Sequence, residues 1–177
     1  MFYICSTTIF AAGKKEFAQM RAPQTNPNWV LKIPPPVWAL AMLAVAFGID
    51  RAMDGRAIFL FRSSALALLF GVGGFALAAW GRTTFAKEDT EIIPTSPSNK
   101  KLVTRGPFRF SRNPMYSGLV LLTLGIAFYA GTLPFFAVPV LLFLLCNFVF
   151  IPFEEAKMQH QFDTQYTDYL HRVRRWI

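Results

Sequence analysis

The stretch SGLVLLTLGIAFYAGTLPFFAVPVLLFLLCNFVFIPF, residues 117–153, consists of two apolar runs with little more than Gly131 and Thr132 between them. So short a turn leaves no room for a crossover, and it predicts a tight helical hairpin with limbs at about residues 117–131 and 133–153. The first limb has fifteen residues. Such a helix rises about 22 Å, against a hydrocarbon core of roughly 30 Å. We therefore expect the hairpin to tilt, to thin the bilayer or to cross it incompletely.

Two further apolar runs precede the hairpin, at about residues 33–49 and 58–80. Prolines occupy the start of the first run. They suit the beginning of a helix, because the backbone N–H that proline lacks would have no partner within the helix there. The second contains Gly71, Gly73 and Gly74, which we expect to let another helix approach closely. The runs together predict an N-terminal tail over residues 1–32 and one membrane domain over residues 33–177.

The composition agrees with this division. Of the 177 residues 54% are hydrophobic and 16% charged, whereas soluble domains carry about a quarter charged residues. We therefore expect an all-α, integral membrane helical bundle with about four transmembrane helices. Cys5 and Cys146 lie in different predicted environments, so neither a disulfide nor a metal site is expected.

The net charge of +8 is interpreted as the positive-inside bias of a membrane protein and not as a nucleic-acid surface. Lys and Arg are concentrated in the N-terminal tail, in the loop at residues 81–116 and after residue 153. This distribution predicts that both termini and the central loop face the cytoplasm. We expect no nucleic-acid partner, and the oligomeric state stays open.

The tail after residue 153 is amphipathic, because apolar and aromatic side chains recur every three or four residues. They are Met158, Phe162, Tyr166, Tyr169 and Val173. This spacing predicts a cytoplasmic C-terminal helix packed at the membrane surface.

The hairpin returns the chain to its starting side, so we expect Tyr116 and Glu154 to be near neighbours. The same return brings Arg109, Arg112 and Asn113 towards Glu154, Glu155 and Arg172. Such a cluster can clamp a ligand that has a carboxylate at one end, hydroxyls in the middle and an apolar partner nearby.

Two blocks carry a resemblance. LVTRGPFRFSRNPMYSG (residues 102–118) comes before the hairpin, and the Glu154-Glu155 pair followed by FDTQYTDYLHRVRRW (residues 162–176) comes after it. In order and spacing they resemble the isoprenylcysteine carboxyl methyltransferase family and the related phospholipid N-methyltransferases. The resemblance implies a small bacterial-type, multi-pass enzyme of the inner membrane that uses S-adenosylmethionine, with its active site facing the cytoplasm. The implied acceptor is a lipid or a prenylated small molecule.

The resemblance also implies a cofactor pocket formed by residues 102–118 and 154–176. Carried onto this sequence, the expected cofactor-binding residues are Val103, Gly106, Pro107, Arg112, Asn113, Pro114, Tyr116, Glu154, Glu155, Tyr166 and Tyr169.

Asn113 stands where the family often has His. A carboxylate acceptor is already ionised at neutral pH, since a carboxyl group in water has a pKa of about 4, so it needs no general base. Asn113 therefore favours carboxyl O-methylation. We expect Arg172 or Arg109 to hold the substrate carboxylate as a catalytic residue. Glu155, with Glu154, is expected to accept hydrogen bonds from ribose hydroxyls or to steady the sulfonium, and the sequence does not divide these roles.

Two alternatives stay open at this point. The first is a phospholipid N-methyltransferase. The second is a non-enzymatic membrane scaffold or lipid-binding protein, since single arginines can anchor headgroups and single tyrosines can belong to an interfacial belt.

Overall fold

The computed structural model describes residues 29–53, 58–87 and 102–176. The predicted N-terminal tail therefore lies outside the described residues up to residue 28. The helices are, in chain order, α1 (Trp29–Lys32), α2 (Pro35–Ala52), α3 (Ser64–Lys87), a 3₁₀ turn (Gly106–Arg109), α4 (Pro114–Ala130), α5 (Leu133–Leu145), a π-helical turn (Cys146–Phe150), α6 (Ile151–Phe162) and α7 (Thr164–Arg172).

The predicted helical membrane bundle is confirmed. Within the described part of the chain, three helical stretches are long and apolar enough to cross a membrane: Pro35–Ala52, Ser64–Lys87 and Leu133–Phe162. Helix α4, the first limb of the hairpin, is shorter, with 17 residues. Large apolar side chains on the outer faces are exposed, among them Leu68, Leu69 and Phe75 of α3. Exposed leucines and phenylalanines along a helix with satisfied backbone bonds suit a lipid environment.

Helices α3 and α4 touch backbone to backbone through glycines. A Cβ atom added to Gly74 would lie 2.6 Å from the carbonyl oxygen of Gly118, and one added to Gly125 would lie 2.5 Å from the backbone nitrogen of Gly71. Gly71 and Gly74 therefore have the role expected of them. Gly73 does not, because a Cβ there would meet nothing within 4 Å.

The hairpin turn is as tight as the sequence predicts. Gly131 ends α4 with φ = 80°, in the left-handed region that glycine adopts without strain. The chain before α3 pairs with this turn: Leu60 N–H donates to Gly131 O, and Leu133 N–H donates to Ile58 O, both at 2.9 Å. Residues 58–63 are therefore extended, which corrects the predicted helical run at residues 58–80. The helix begins at Ser64 and continues to Lys87.

The second limb of the hairpin does not end at residue 153. Helix α5, the π-helical turn and α6 form one continuous helical stretch from Leu133 to Phe162. The break comes at Asp163, whose φ of 42° is unusual for a residue other than glycine. The expected single C-terminal helix is thus divided, with Met158 and Phe162 on α6 and Tyr166 and Tyr169 on α7.

The chain after α7 returns to the hairpin and closes over it. Ser111 and Arg174 form a parallel bridge, and Arg112 N–H donates to Arg174 O at 2.9 Å. The Trp176 ring packs 4.7 Å from that of Phe143, and its Nε1–H donates to Asn147 Oδ1 at 3.0 Å. We call residues 173–176 the C-terminal clasp and residues 102–113 the pre-hairpin segment.

Candidate active site

A cavity of about 570 Å³ opens where the start of α2, the second half of α3, the pre-hairpin segment, α4 and α6 meet. Its size is within the range of small-molecule sites, about 300–1,000 Å³. One part of the lining is polar, with Arg82, Arg112, Asn113, Tyr116, Glu154 and Lys157, and the rest is apolar, with Pro34, Pro35, Pro36, Phe75, Ala78, Ala79, Phe85, Phe108, Pro114, Met115, Leu119 and Met158. We call this the large cavity.

Tyr116 and Glu154 join the two limbs of the hairpin at this cavity. The Tyr116 hydroxyl donates a 2.6 Å hydrogen bond to Glu154 Oε1. Both residues line the cavity, so the bond forms part of its wall. The predicted proximity of Tyr116 and Glu154 is therefore confirmed.

Glu155, the next residue, makes a different set of contacts. Arg175 donates to it from two nitrogens, Nε and Nη2, and Arg112 Nη1 lies 3.0 Å from Glu155 Oε1. A two-pronged arginine contact fixes a carboxylate in geometry as well as in charge. Glu155 is absent from the lining of the large cavity, so the two glutamates divide: Glu154 faces the cavity and Glu155 holds the pre-hairpin segment to the C-terminal clasp.

Arg112 links this ion-pair cluster to the cavity. Its Nη1 is paired with Glu155, yet its Nε is buried and has no hydrogen-bond partner among the described residues. Buried donors without a partner are uncommon in folded proteins. A ligand in the large cavity cannot reach this enclosed nitrogen, but Arg112 lines the cavity and can contact a ligand through the exposed part of its side chain.

Asn113 is buried between the pre-hairpin segment and the clasp. Its Nδ2 donates to Arg175 O at 3.0 Å, and its backbone N–H donates to Ser111 Oγ at 3.1 Å. Pro114 follows as the first residue of α4, a position that proline suits. Asn113 also lines the large cavity, so it forms part of the cavity wall and also holds that wall to the clasp.

Three further expected residues of the pre-hairpin segment, Val103, Gly106 and Pro107, lie outside the lining of the large cavity. Val103 and Pro107 are buried. Gly106 has φ = +60°, and a Cβ there would lie 2.9 Å from Thr84 Oγ1. Its conformation and its closeness to α3 both require glycine.

Tyr166 and Tyr169 of α7 are buried behind the same segment. The Tyr169 hydroxyl donates to Phe108 O at 2.7 Å, which ties α7 to the 3₁₀ turn. Burial raises the pKa of both tyrosine hydroxyls above the usual range, and the nearby Glu155 carboxylate raises the pKa of Tyr166 further. Both side chains are therefore neutral at physiological pH; Tyr169 supports the site through its hydrogen bond to Phe108 and Tyr166 through its buried ring.

Arg109 and Arg172 do not line the large cavity. They line a separate cavity of about 230 Å³ together with Thr104, Tyr169 and Val173. We call this the small cavity. Phe108 lines the large cavity and Tyr169 the small one, so the Phe108–Tyr169 contact lies between the two. The structure brings Arg112, Asn113, Pro114, Tyr116 and Glu154 around the large cavity and leaves these two arginines outside it.

The site also contains residues that the sequence did not predict, and two groups of them matter most. One is the α3 face that lines the large cavity: Phe75, Ala78, Ala79 and Arg82. Their spacing of i, i+3, i+4 and i+7 is a helical stripe, hidden in a helix that is apolar on all sides. The other is Arg175, which stands in the second motif block but shows its role only through its contact with Glu155.

Comparison with known proteins gives one match. A family model described as phospholipid methyltransferase matches residues 63–165, which is more than half of the chain. The matched range includes α3, the pre-hairpin segment, the whole hairpin and α6. No curated protein and no solved structure matches the chain at a significant level.

Proposed function

The chain belongs to the phospholipid methyltransferase family, and from this premise we propose that it transfers a methyl group from S-adenosylmethionine to a lipid-like acceptor in the membrane. The observation that supports this most is the pairing of Tyr116 and Glu154 in the wall of a cavity that is polar in one part and apolar in the rest. A methyl donor that is soluble in water and an acceptor that is soluble in lipid need such a divided site.

The polar part of the large cavity fits S-adenosylmethionine. The Arg112 side chain in the lining can contact the carboxylate of the donor's amino-acid end, and Glu154 can accept hydrogen bonds from its ribose hydroxyls or its amine. Phe108 and Phe85, whose rings lie 4.9 Å apart, are both in the lining and can contact the adenine. When bound, the donor supplies a methyl group on a positively charged sulfur.

The chain's own contribution is to hold two reactants in line. Alignment of this kind is worth several kcal/mol of the barrier. The ion pairs from Glu155 to Arg112 and Arg175 fix the pre-hairpin segment against the clasp, and Tyr116 fixes Glu154. Apolar residues of α3 and the prolines that begin α2 can hold the acceptor's hydrocarbon part.

For the acceptor we propose a carboxylate. Arg82 follows the apolar stripe of α3 into the cavity lining, and a guanidinium there can orient a carboxylate. Such an acceptor is ionised at neutral pH and needs no base. This transfers to Arg82 the role that the sequence suggested for Arg109 or Arg172, since those two line the small cavity.

The second candidate is the amine of a phospholipid headgroup. The description of the matching family favours it, and the Glu154 carboxylate in the cavity lining can attract an ammonium group. The products separate the two proposals. Mild base releases the methyl group of an ester and leaves a methylated amine intact. Purified enzyme with radiolabelled S-adenosylmethionine and a bacterial lipid extract would give the answer.

Donor binding is tested by calorimetric titration of the detergent-solubilised protein with S-adenosylhomocysteine. We expect binding that Glu154→Gln or Arg112→Gln weakens at least about tenfold, the effect of one lost charge-assisted hydrogen bond. Asp168→Asn, on the exposed side of α7, is the matched control and is expected to leave the affinity unchanged. A folded protein that binds no S-adenosylhomocysteine would contradict the proposal that this cavity binds the methyl donor.

The orientation of the site is also a proposal. The concentration of Lys and Arg at residues 81–116 and after residue 153 supports a cavity that opens to the cytoplasm. The test is a reporter protein fused after Ile177 that is active only in the cytoplasm, and we expect it to be active. An inactive reporter in a well-expressed fusion would show the opposite orientation.

A further inference from the structure

The small cavity contains two arginines that lie outside the proposed methyl-transfer site. Its lining is Thr104, Arg109, Tyr169, Arg172 and Val173, with no carboxylate among them. Arg109 is exposed and forms no ion pair within the described residues. Arg172 donates through Nε to Asp168 O at 3.1 Å, which directs the side chain and leaves its two terminal nitrogens for another partner.

We propose that the small cavity binds a phosphate group. Two guanidinium groups can share the several oxygens of a phosphate, and arginine is well suited to bind that group through paired N–H donors. The Thr104 hydroxyl adds a neutral donor at the same cavity. The Tyr169 hydroxyl already donates to Phe108 O, so its ring serves as a wall. This proposal does not depend on methyl transfer.

Two sources can supply the phosphate: the headgroup of an anionic lipid and a phosphate ion in solution. The structure favours the lipid. Phe110, next to Arg109, is 68% exposed, and an exposed aromatic residue beside basic residues is typical of a segment that lies at the boundary between headgroups and acyl chains. Basic pockets beside membrane helices are known to hold anionic headgroups.

The test uses the full-length protein in detergent and native mass spectrometry with dioleoylphosphatidic acid, with dioleoylphosphatidylcholine as the zwitterionic comparison. We expect the protein to retain phosphatidic acid in preference to phosphatidylcholine. Arg109→Gln and Arg172→Gln should each reduce retention about fivefold, the effect of one basic residue near an anionic headgroup. Arg174→Gln removes the same charge from an exposed position outside the small cavity and should leave retention unchanged.

A second arm measures inorganic phosphate alone by the shift it causes in the thermal unfolding temperature. Competition of phosphate with phosphatidic acid, lost in the Arg109 and Arg172 variants, supports the site with a lipid as its ligand. A phosphate-dependent shift that these variants abolish, without retention of phosphatidic acid, supports the site with a soluble ligand. Arg109→Lys and Arg172→Lys keep the charge and serve where a glutamine variant fails to fold.

Three results overturn the proposal. The first is an equal loss of retention in Arg174→Gln, which would reduce the effect to the general positive charge of this end of the protein. The second is wild-type retention in folded Arg109→Gln and Arg172→Gln. The third is that neither probe binds.

Discussion

Tyr116 and Glu154 are 38 positions apart in the chain, yet the hydroxyl of one donates to the carboxylate of the other at 2.6 Å. The bond closes the open end of the hairpin, opposite the turn at Gly131. It also places a carboxylate in a wall that is otherwise largely apolar. One contact thus serves the fold and the proposed chemistry together.

Tyr116→Phe removes this bond and keeps the ring. Without it the Glu154 side chain loses the partner that fixes its position in the cavity wall, so we expect the affinity for S-adenosylhomocysteine to fall severalfold. Calorimetric titration measures it. Tyr129→Phe is the matched control, because Tyr129 is 62% exposed at the far end of α4. Equal affinities in both variants would contradict the role given to the bond.

The Glu155 cluster predicts an order of stabilities. Glu155→Gln removes the partner of both Arg112 and Arg175, whereas Arg175→Gln leaves the Arg112–Glu155 pair in place. We expect a loss of about 2 kcal/mol for the first and of about 1 kcal/mol or less for the second, because the Arg175 side chain is partly exposed to solvent screening. Denaturant unfolding in detergent measures both losses, and a reversed order would show that Arg112 gains nothing from Glu155.

Neighbouring glycines of α3 form a matched pair for helix packing. Gly74→Ala places a methyl group 2.6 Å from Gly118 O, and Gly73→Ala places one in open space. We expect Gly74→Ala to force α3 and α4 apart, which lowers the melting temperature by several degrees, roughly what 1–3 kcal/mol of overpacking produces. Gly73→Ala should melt with the wild-type protein. If both variants melt alike, the helices do not cross at Gly74.

The C-terminal clasp depends on Trp176. Trp176→Ala loses the packing on Phe143 and the hydrogen bond to Asn147, so residues 173–176 should detach. Trypsin, which cleaves after arginine, should then remove the end of the chain several times faster. Trp176→Phe keeps a smaller aromatic ring at this position and loses the N–H donor to Asn147, and an intermediate rate is expected. Unchanged cleavage in Trp176→Ala would show that the backbone contacts at Arg174 are sufficient.

The sequence predicted the hairpin and its closing contact because both follow from local rules. Two apolar runs joined by Gly131 and Thr132 can only turn back, and turning back brings Tyr116 to Glu154. The assignment of the helical membrane bundle rested on composition in the same way.

The sequence did not divide the charged residues between the two cavities. Glu154 and Glu155 are adjacent, and adjacent residues of a helix project about 100° apart. Which of them faces the large cavity is seen only in their long-range partners, Tyr116 for Glu154 and the arginines 112 and 175 for Glu155. Arg109 and Arg112 are three positions apart, but Arg109 ends a 3₁₀ turn while Arg112 pairs with the returning clasp. The directions of these two side chains depend on the backbone contact between residues 112 and 174, which no local sequence pattern predicts.

The length of the helix that forms the second hairpin limb gives the depth of the site in the membrane. Its 30 residues, Leu133–Phe162, correspond to about 45 Å, which exceeds the roughly 30 Å hydrocarbon core by about 15 Å. Glu154 comes 21 positions after Leu133, or about 32 Å along the axis. If the helix enters the hydrocarbon at Leu133, the carboxylate stands where the acyl chains end on the opposite side. A nucleoside arriving from water and a lipid that never leaves its leaflet can meet at that level without either crossing into the other's solvent.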